Sequence, residues 1–480
     1  MPVFPQSNDF LAILPSLILI GGGVLFLIGQ FIFQSNDHRI LRFATGLLLL
    51  VGIYFNFESS SSPGFREYFA GQVKLSQLTV YLNAIYLGTA LMTIIASPRI
   101  LNQHGITFPE FYPLILFAVT GMIFMTTGSD FIVIFVGLEL LSISLYILIG
   151  MARNEISSLE ATMKYFLLGA FSSGFMLMGI ALLFGGSGST KLADALKPIF
   201  VYEINTEVSL YSRLGLGLFF VGVFFKIALF PFHSWTPDVY EGALTTMTGF
   251  MASGPKAAAM GLLLVVYSYI PEVDTENSWT YLIGTISILS MTFGNILALK
   301  QDNLKRVLAY SSISHAGYIV AGIICGASNE VLYYLIMYAF MNIAGFSLIA
   351  YLENGKLIIT YSSLKALVLQ KPYSAVGLLL VFFSLGGIPP LGGFWTKVFL
   401  FQKIATSENP MNRMLLIAGV VNSAIAIYYY LRVTVNAFMI DEKGEATLES
   451  IPGSYGLAFT SVLSILFISF SWIIFHPSSL

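Results

Sequence analysis

The sequence predicts an all-α polytopic membrane protein of about fourteen transmembrane helices, and three observations carry this prediction. Hydrophobic residues make up 56% of the 480 residues and charged residues only 10%, a composition that excludes an ordinary soluble domain. Apolar runs near the roughly 20 residues that a spanning helix needs recur along nearly the whole chain. These runs also lack the alternating pattern of about ten residues that is typical of barrel strands.

The predicted spans follow one another with short polar loops between them. They lie near residues 10–33, 40–57, 75–97, 111–128, 130–150, 158–185, 208–230, 241–270, 279–299, 303–325, 329–352, 374–402, 412–437 and 455–475. The first stretch lacks a preceding basic region and is too long for a signal-peptide core, so it is expected to be retained as a helix.

The seventh and twelfth spans are irregular because prolines interrupt them. The seventh ends at Pro231, in the stretch FPFHSWTPDVYEG at 230–242, and the twelfth contains Pro389 and Pro390. Proline removes a backbone donor and frees a carbonyl one turn back, which water or a polar side chain must satisfy. Such a break lines a hydrated cavity or is a simple packing kink. The matched pair favours the cavity.

An internal repeat is also predicted. The segments FPFHSWTPDVY and GIPPLGGFWTKVF each place proline shortly before Trp-Thr, and five predicted helices separate the two positions, so the repeats are expected to be inverted in the membrane. The predicted segments are an N-terminal three-helix unit at 1–110, a first five-helix repeat at 111–270, a second, inverted repeat at 271–437 and a C-terminal helix at 438–480.

The distribution of basic residues predicts that both termini lie on the outer side, because basic loops favour the inside. On this topology the inner loops or inner helix ends carry Arg39, Arg42, Arg99, Arg153, Lys300, Lys305, Arg306, Lys356, Lys365, Lys371, Arg432 and Lys443. The outer side carries fewer: Arg66, Lys74, Lys191, Lys197, Arg213, Lys403 and Arg413. The acidic loop at 271–277 falls outside.

Several ionisable residues are predicted within spans, where a basic side chain costs at least about 3 kcal/mol. Glu139 lies near the middle of the fifth span, and Lys226, Lys256 and Lys397 lie on the seventh, eighth and twelfth. We expect Glu139 to pair with Lys226, and Lys226 to exchange protons with Lys256 through bound water. A lysine between apolar burial and a carboxylate can load and release a proton.

Two further residues have equally plausible structural roles. His315 lies within LAYSSISHAGY and either continues the path with Lys397 or is a core histidine bonded to the serines of SSIS. Lys164 lies close enough to a helix end to extend its ammonium to the interface. The aromatic run 428–430 is expected to pack or anchor the helix at the membrane interface.

Other kinds of chemistry find little support in the sequence. Cys325 is the only cysteine, which excludes an intrachain disulfide, a zinc knuckle and an iron–sulfur cluster built by this chain alone. The run GGSGSTK at 185–191 lacks phosphate-loop spacing and is expected to be a flexible connector. No basic tail indicates binding to nucleic acid. No metal or cofactor site is predicted.

Four ordered motifs together resemble the antiporter-like membrane subunits of respiratory complex I, the proton-translocating NADH:quinone oxidoreductase. These are SSLEATMKYFLLGAFSSG, FHSWTPDVYEGA, NLKRVLAYSSISHAGY and SLGGIPPLGGFWTK, and the resemblance covers roughly residues 111–432. It implies fourteen helices, inverted five-helix repeats and two discontinuous helices. It also implies a proton path through the matched residues Glu139, Lys164, Lys226, Lys256 and Lys397.

The resemblance also implies where the protein acts and with what. It implies a multi-pass protein of the cell inner membrane, whose partners are the lipid bilayer and the membrane and peripheral subunits of the complex, including sister antiporter-like subunits. NADH, flavin, iron–sulfur clusters and quinone would be bound by those partner subunits. The lysine at 397 and the chain's end soon after the fourteenth span each differ from one sister subunit. Residues 244–250 lack the family's usual Pro-Thr-Pro-like run.

Two other functions remain open at this point. A subunit of a cation/proton antiporter or of a membrane-bound hydrogenase of the same superfamily would carry similar motifs. A membrane scaffold that keeps its buried charges for assembly is the third alternative.

Overall fold

The computed structural model describes residues 7–33, 38–59, 66–200, 206–270, 278–353, 358–406, 409–439, 454–474 and 477. The predicted loop at 271–277, Lys356 and Lys443 lie outside these residues. The described helices before the first break are α1 (Ser7–Ala12), α2 (Leu14–Phe33), α3 (His38–Glu58), α4 (Gln77–Ala96), α5 (Pro98–Gln103), α6 (Phe111–Thr127), α7 (Phe131–Ile149), α8 (Ile156–Ser187), α9 (Leu192–Phe200) and α10 (Thr206–Ile227).

The second half of the chain continues the same helical architecture. Its described helices are α11 (Trp235–Gly242), α12 (Thr245–Tyr267), α13 (Ser278–Leu299), α14 (Leu304–Ile324), α15 (Ser328–Leu352), α16 (Leu367–Gln370), α17 (Pro372–Gly386), α18 (Gly392–Ala405), α19 (Pro410–Phe438) and α20 (Tyr455–Ile474). A small antiparallel hairpin, β1 (Arg66–Tyr68) and β2 (Val73–Leu75), is the one described sheet.

The helices confirm the predicted class, a mostly helical membrane protein. Within the described residues, ten helices are long and apolar enough to cross a membrane, by length and composition. Helices α2, α6, α17 and α20 contain shorter apolar stretches. Spanning segments are helical because a helix satisfies every backbone hydrogen bond within itself, where hydrocarbon offers no alternative partner.

The stretch at 230–242 is not a simple loop. Helix α10 ends at Ile227, and a separate helix, α11, occupies its second half. The predicted start of the next span near residue 241 is wrong, because Ala243 and Leu244 are extended and α12 begins at Thr245. The Thr245 hydroxyl donates to the Glu353 carboxylate at 2.6 Å. Helix α12 therefore begins at Thr245 without the Pro-Thr-Pro-like run that residues 244–250 lack.

The break between α17 and α18 has a similar backbone. In each break a residue with positive φ stands three positions before a proline, Ala228 (φ 64°) before Pro231 and Gly387 (φ 80°) before Pro390. Positive φ is easiest for glycine. A β-carbon on Gly387 would also lie 3.0 Å from the Lys397 side chain. Pro231, Pro389 and Pro390 themselves are exposed.

Three helices form the enclosed centre of the molecule. Nearly all of α12 and α14, and most of α15, is buried within the described protein, whereas α3, α8 and α19 carry many exposed apolar side chains. Exposed apolar surface is expected where a helix faces lipid rather than water. The polar side chains of the central helices are therefore the ones isolated from the bilayer.

Small residues allow neighbouring helices to approach closely. A β-carbon at Gly121 of α6 would lie 2.5 Å from the Gly137 carbonyl of α7, and one at Gly179 of α8 would lie 2.5 Å from the Gly215 carbonyl of α10. In a membrane, where helices associate through packing, small residues such as these glycines define the interface between two helices.

The predicted flexible connector at 185–191 is tied down in the structure. Its first residues continue α8 to Ser187, and the Thr190 hydroxyl donates to the Asp130 carboxylate at 2.6 Å. Asp130 also accepts from the Ile132 amide as the N-cap of α7. Helix α9, which follows, and the hairpin were not predicted because both are too short to give a spanning pattern.

Candidate functional site

Lys256 is buried at the centre of the molecule and is held by one residue of α14. Its ammonium donates to the backbone carbonyl and to the side-chain hydroxyl of Ser312, both at 2.8 Å, and the residue is only 2% exposed. A buried ammonium is costly unless it is hydrogen-bonded. Ser312 supplies these acceptors.

His315 lies one turn further along α14 and engages two tyrosines. Its Nδ1 is 2.8 Å from the Tyr334 hydroxyl, and its Nε2 is 3.1 Å from the Tyr430 hydroxyl. Tyr430 in turn contacts the Ser311 hydroxyl. The predicted alternative in which His315 bonds the SSIS serines directly is therefore wrong, since both of its ring nitrogens contact tyrosine hydroxyls.

Lys397 is the sixth residue of α18, and its side chain reaches back across the break to the end of α17. Its ammonium donates to the Gly386 carbonyl at 3.1 Å, the last residue of α17, and the side chain is 6% exposed. The ammonium also lies 5.3 Å from the centre of the Tyr318 ring, whose neighbour at 5.9 Å is the His315 ring. The break thus supplies an acceptor for a buried lysine.

The structure places three of the predicted residues in one buried polar region. Lys256 contacts Ser312, and His315 contacts Tyr430, which in turn contacts the adjacent residue Ser311. Tyr318 lies between His315 and Lys397. Hydroxyl groups both donate and accept hydrogen bonds, and a neutral imidazole does so through its two nitrogens. This arrangement is chemically suited to passing a proton.

Lys226 has a different environment. It is 8% exposed, its ammonium has no hydrogen-bond partner among the described residues, and it lies 5.1 Å and 5.6 Å from the ring centres of Tyr165 and Tyr146. Aromatic faces attract a cation, most strongly where water is excluded. The ammonium is therefore held by rings.

Glu139 is the ninth residue of α7 and is partly exposed. One of its carboxylate oxygens is buried with no partner in the described chain. Glu139 and Lys226 interact electrostatically, but they form no direct hydrogen bond. The predicted pairing is thus a through-space one in this conformation, because the aromatic rings already surround the lysine.

Lys164 lies apart from the buried region. It is 41% exposed and forms ion pairs of 2.7 Å with Glu160 and with Asp238 of α11. This is the position expected for a lysine near a helix end.

Asp238 joins Lys164 to a second cation. Its other oxygen accepts from Arg306 of α14 at 2.9 Å, and Arg306 also contacts Glu241 at 2.7 Å. Burial alone would raise the pKa of Asp238, but hydrogen bonds from Lys164 and Arg306 lower it overall. The ionised carboxylate therefore ties α11 to α8 and α14.

The sequence did not identify the tyrosines as site residues. Tyr428 is 65% exposed, which fits the predicted interface anchor, but Tyr429 and Tyr430 are buried. The Tyr429 hydroxyl donates to Asn295 at 3.0 Å. One signal was available, because three consecutive residues of a helix point in different directions and cannot all face lipid.

His233 was also missed, although it lies within the stretch 230–242. Its ring stacks near Phe230 with centres 5.6 Å apart, and its Nδ1 is buried with no partner among the described residues. It interacts electrostatically with Lys256. We therefore include His233, a titratable ring at a helix break near a buried lysine, in the candidate site.

Comparison with known proteins identifies the family. Residues 128–426, more than half of the chain, match the family described as NADH:quinone oxidoreductase/Mrp antiporter, transmembrane. The chain belongs to this family. Its relatives include NADH-quinone oxidoreductase subunit N of Leptospira biflexa, 52% identical over 100% of both chains, and that of Leptospira interrogans, 51% identical over 99% of this chain and 93% of the relative.

Solved structures agree with this family assignment. A chain of respiratory complex I from Thermus thermophilus superimposes with a TM-score of 0.79 at 29% identity, covering 96% of this chain and 98% of that one. A chain of an archaeal membrane-bound sulfane sulfur reductase gives 0.80 at 21% identity, covering 97% and 94%. The second likeness concerns the fold alone. Together they establish the antiporter-like membrane fold.

Proposed function

We propose that this family member is a proton-translocating membrane subunit of a respiratory NADH:quinone oxidoreductase. The observation that carries the proposal is its end-to-end similarity, 52% identical residues, to a protein named as subunit N of that enzyme. The chain itself binds no cofactor. NADH, flavin, iron–sulfur clusters and quinone belong to partner subunits, where the redox reaction takes place.

The proton path runs through the buried ionisable residues. Glu139 and Lys226 form the first half, and Lys256, His315 and Lys397 form the second. Ser312 and Tyr430 support the path because their hydroxyls contact Lys256 and His315. Water connects Lys226 to Lys256. Lys164, which is exposed and forms ion pairs with Glu160 and Asp238, anchors α11 to α8 at the edge of the path.

An external driving force is needed for this path. Moving one charge against a membrane potential of 100 mV requires about 2.3 kcal/mol. Quinone reduction elsewhere in the complex provides this free energy, and changes in charge at Glu139 and Lys226 would pass it along the chain. A lysine that loses its proton no longer repels the next one, so protons advance in steps.

The finer architecture belongs to the same proposal. The four shorter apolar helices α2, α6, α17 and α20 also cross the membrane, which gives fourteen spans. The shared backbone pattern of the two breaks supports inverted repeats, which we propose at 111–270 and 271–437, between the segments 1–110 and 438–480. Both termini face the outer, periplasmic side of the cell inner membrane.

Neighbouring subunits complete the protein's surface. Glu139 is partly exposed in the middle of a helix that has no other charged residue, and a carboxylate facing lipid at that depth is costly. We place a sister antiporter-like subunit over this face. The remaining partners are other membrane and peripheral subunits and the surrounding lipid.

A purification experiment tests this function. We expect the tagged chain, isolated in mild detergent, to bring with it iron–sulfur subunits and NADH-driven quinone reduction. In vesicles in which the proton-delivering side of the complex faces inward, that reaction should acidify the lumen. Isolation without any reductant-driven quinone reduction would contradict the proposal.

A cation/proton antiporter subunit is the second candidate, because the matched family also includes Mrp antiporters. A chain of an Mrp complex from Dietzia has the same fold, with a TM-score of 0.76 at 22% identity, covering 95% of this chain and half of that one. An imposed sodium gradient distinguishes the two. Proton movement driven by sodium alone, without electron transfer, would favour the antiporter.

A further inference from the structure

A cavity of about 570 Å³ lies at one end of the helical bundle, away from the buried lysines. Its wall includes residues near the start of α3 and of α20 and near the end of α4. Helix ends mark the level at which the chain passes from water into the bilayer. The cavity therefore lies at the depth of lipid headgroups.

The cavity is positively charged. Arg42 is exposed and forms no hydrogen bond or ion pair with the part of the chain that the structure describes. Arg99, 9% exposed, also lines the cavity. Its terminal nitrogens donate to the carbonyls of Tyr351 and Glu353 at 3.0 Å, and its buried Nε has no described partner.

Nearby groups leave a net positive charge at the cavity. The hydrogen-bond acceptors of Arg99 are neutral backbone carbonyls. The Glu353 carboxylate, which also accepts from the Thr245 hydroxyl, is one acidic group that interacts electrostatically with Arg99. Lys371 adds a further cation close enough to interact electrostatically with Arg99. An anion placed between Arg42 and Arg99 would meet two guanidinium groups, which are well suited to a phosphate.

The wall below the arginines is apolar. Phe43, Leu47 and Leu50 follow Arg42 along α3 and are 76%, 52% and 52% exposed. Leu91 and Ile94 of α4 form the opposite side. The apolar wall therefore extends from the charged end into the hydrocarbon depth, as an acyl chain does below its phosphate.

We propose that this cavity binds one anionic phospholipid. The phosphate lies between Arg42 and Arg99, and one acyl chain lies along Leu47, Leu50 and Leu91. Charge complementarity selects a lipid with net negative charge over a zwitterionic one, because basic residues near the membrane surface attract anionic lipids. An apolar peptide segment would leave Arg42 without a counter-ion.

Native mass spectrometry tests the proposal with the full chain in the complex in which it is purified, exchanged into phosphatidylglycerol or phosphatidylcholine. We expect wild type to retain phosphatidylglycerol preferentially, and Arg42→Gln to lower its retention about fivefold. Leu47→Trp, whose larger side chain would occupy the apolar part of the cavity, should lower the retention of phosphatidylglycerol as well. Arg413→Gln is the matched control, since Arg413 is also an exposed arginine in the first turn of a long apolar helix, α19.

The outcomes separate lipid from other occupants. A photoreactive amino acid at position 47 should capture lipid, and addition of free phosphate should not displace it. Equal retention of phosphatidylglycerol by wild type and Arg42→Gln would overturn the proposal. So would capture of a neighbouring protein subunit at position 47, or an equal loss in the Arg413→Gln control.

Discussion

At the scale of single residues, the buried lysines of the described site are not all stabilised in the same way. Lys256 is hydrogen-bonded to Ser312, Lys397 to the Gly386 carbonyl, and Lys226 is surrounded by aromatic rings. Hydrogen bonds and rings both compensate for lost water, but rings leave the ammonium without a fixed acceptor. Lys226 is therefore the lysine best able to respond to a change at Glu139.

The Tyr430 hydroxyl provides the first test at this scale. Tyr430→Phe removes the contact with His315 Nε2 and with Ser311 but keeps the buried ring. We expect proton translocation by the assembled complex to fall about tenfold, the rate equivalent of one hydrogen bond. Fluorescence quenching in proteoliposomes measures this flux.

A neighbouring residue supplies the control for this test. Tyr428→Phe alters an exposed tyrosine of the same helix and should leave the flux unchanged. Equal fluxes for Tyr430→Phe and wild type would remove the hydroxyl from the path.

The ionisable residues could be predicted from sequence because a charge within an apolar run is conspicuous. Glu139, Lys226, Lys256 and Lys397 were found in this way. Tyr334 and Tyr430 could not be, since tyrosine is common both in lipid-facing and in buried positions of membrane helices. Only the tertiary contact with His315 distinguishes them.

At the scale of elements, the short helix α11 depends on ionic contacts with its neighbours. Asp238→Asn removes the carboxylate charge that joins Lys164 to Arg306. Partly exposed pairs contribute at most about 1 kcal/mol each, so we expect amide hydrogen exchange in α11 to accelerate about fivefold. Exchange followed by mass spectrometry measures the change.

A surface ion pair gives the comparison for α11. Asp194→Asn breaks an exposed pair with Lys197 on α9 and should leave exchange in α11 unaltered. Unaltered exchange in Asp238→Asn as well would show that these ion pairs do not hold α11.

The contact between α8 and α10 allows a test of packing. A β-carbon at Gly179 would lie 2.5 Å from the Gly215 carbonyl, whereas one at Gly174 of the same helix would meet nothing within 4 Å. We expect Gly179→Ala to destabilise the protein by about 1–3 kcal/mol and to lower its melting temperature in detergent. Gly174→Ala should not, and similar melting temperatures for the two variants would contradict the close approach.

Helix positions were predictable because hydrophobic length and proline placement are visible in sequence. The separation of α11 from α12 was not, because Ala243 and Leu244 have no residue type that requires an extended backbone. Thr245 and Thr248 settle the helix start through bonds to Glu353 and to the Tyr240 carbonyl. The contact with Glu353 is non-local, and the contact with Tyr240 depends on the preceding helix, α11.

At the scale of the whole molecule, the proposed topology places the termini and Arg413 outside and Lys300 inside. Both Lys300 and Arg413 are exposed, so each can be replaced by cysteine in a Cys325→Ser background and labelled in intact cells. We expect a membrane-impermeant maleimide to label Arg413→Cys at once and Lys300→Cys only after permeabilisation. The reverse pattern would invert the topology.

The central claim is that protons cross this subunit through its buried charges. Proton flux per quinone reduced, measured in proteoliposomes with the assembled complex, tests it most directly in Glu139→Ala and Lys256→Ala. We expect both variants to assemble and their flux through this subunit to be lost, because removing a positioned proton-transfer group slows transfer by about 10² or more. Unchanged proton flux per quinone in both fully assembled variants would contradict the claim and leave the charges a structural role.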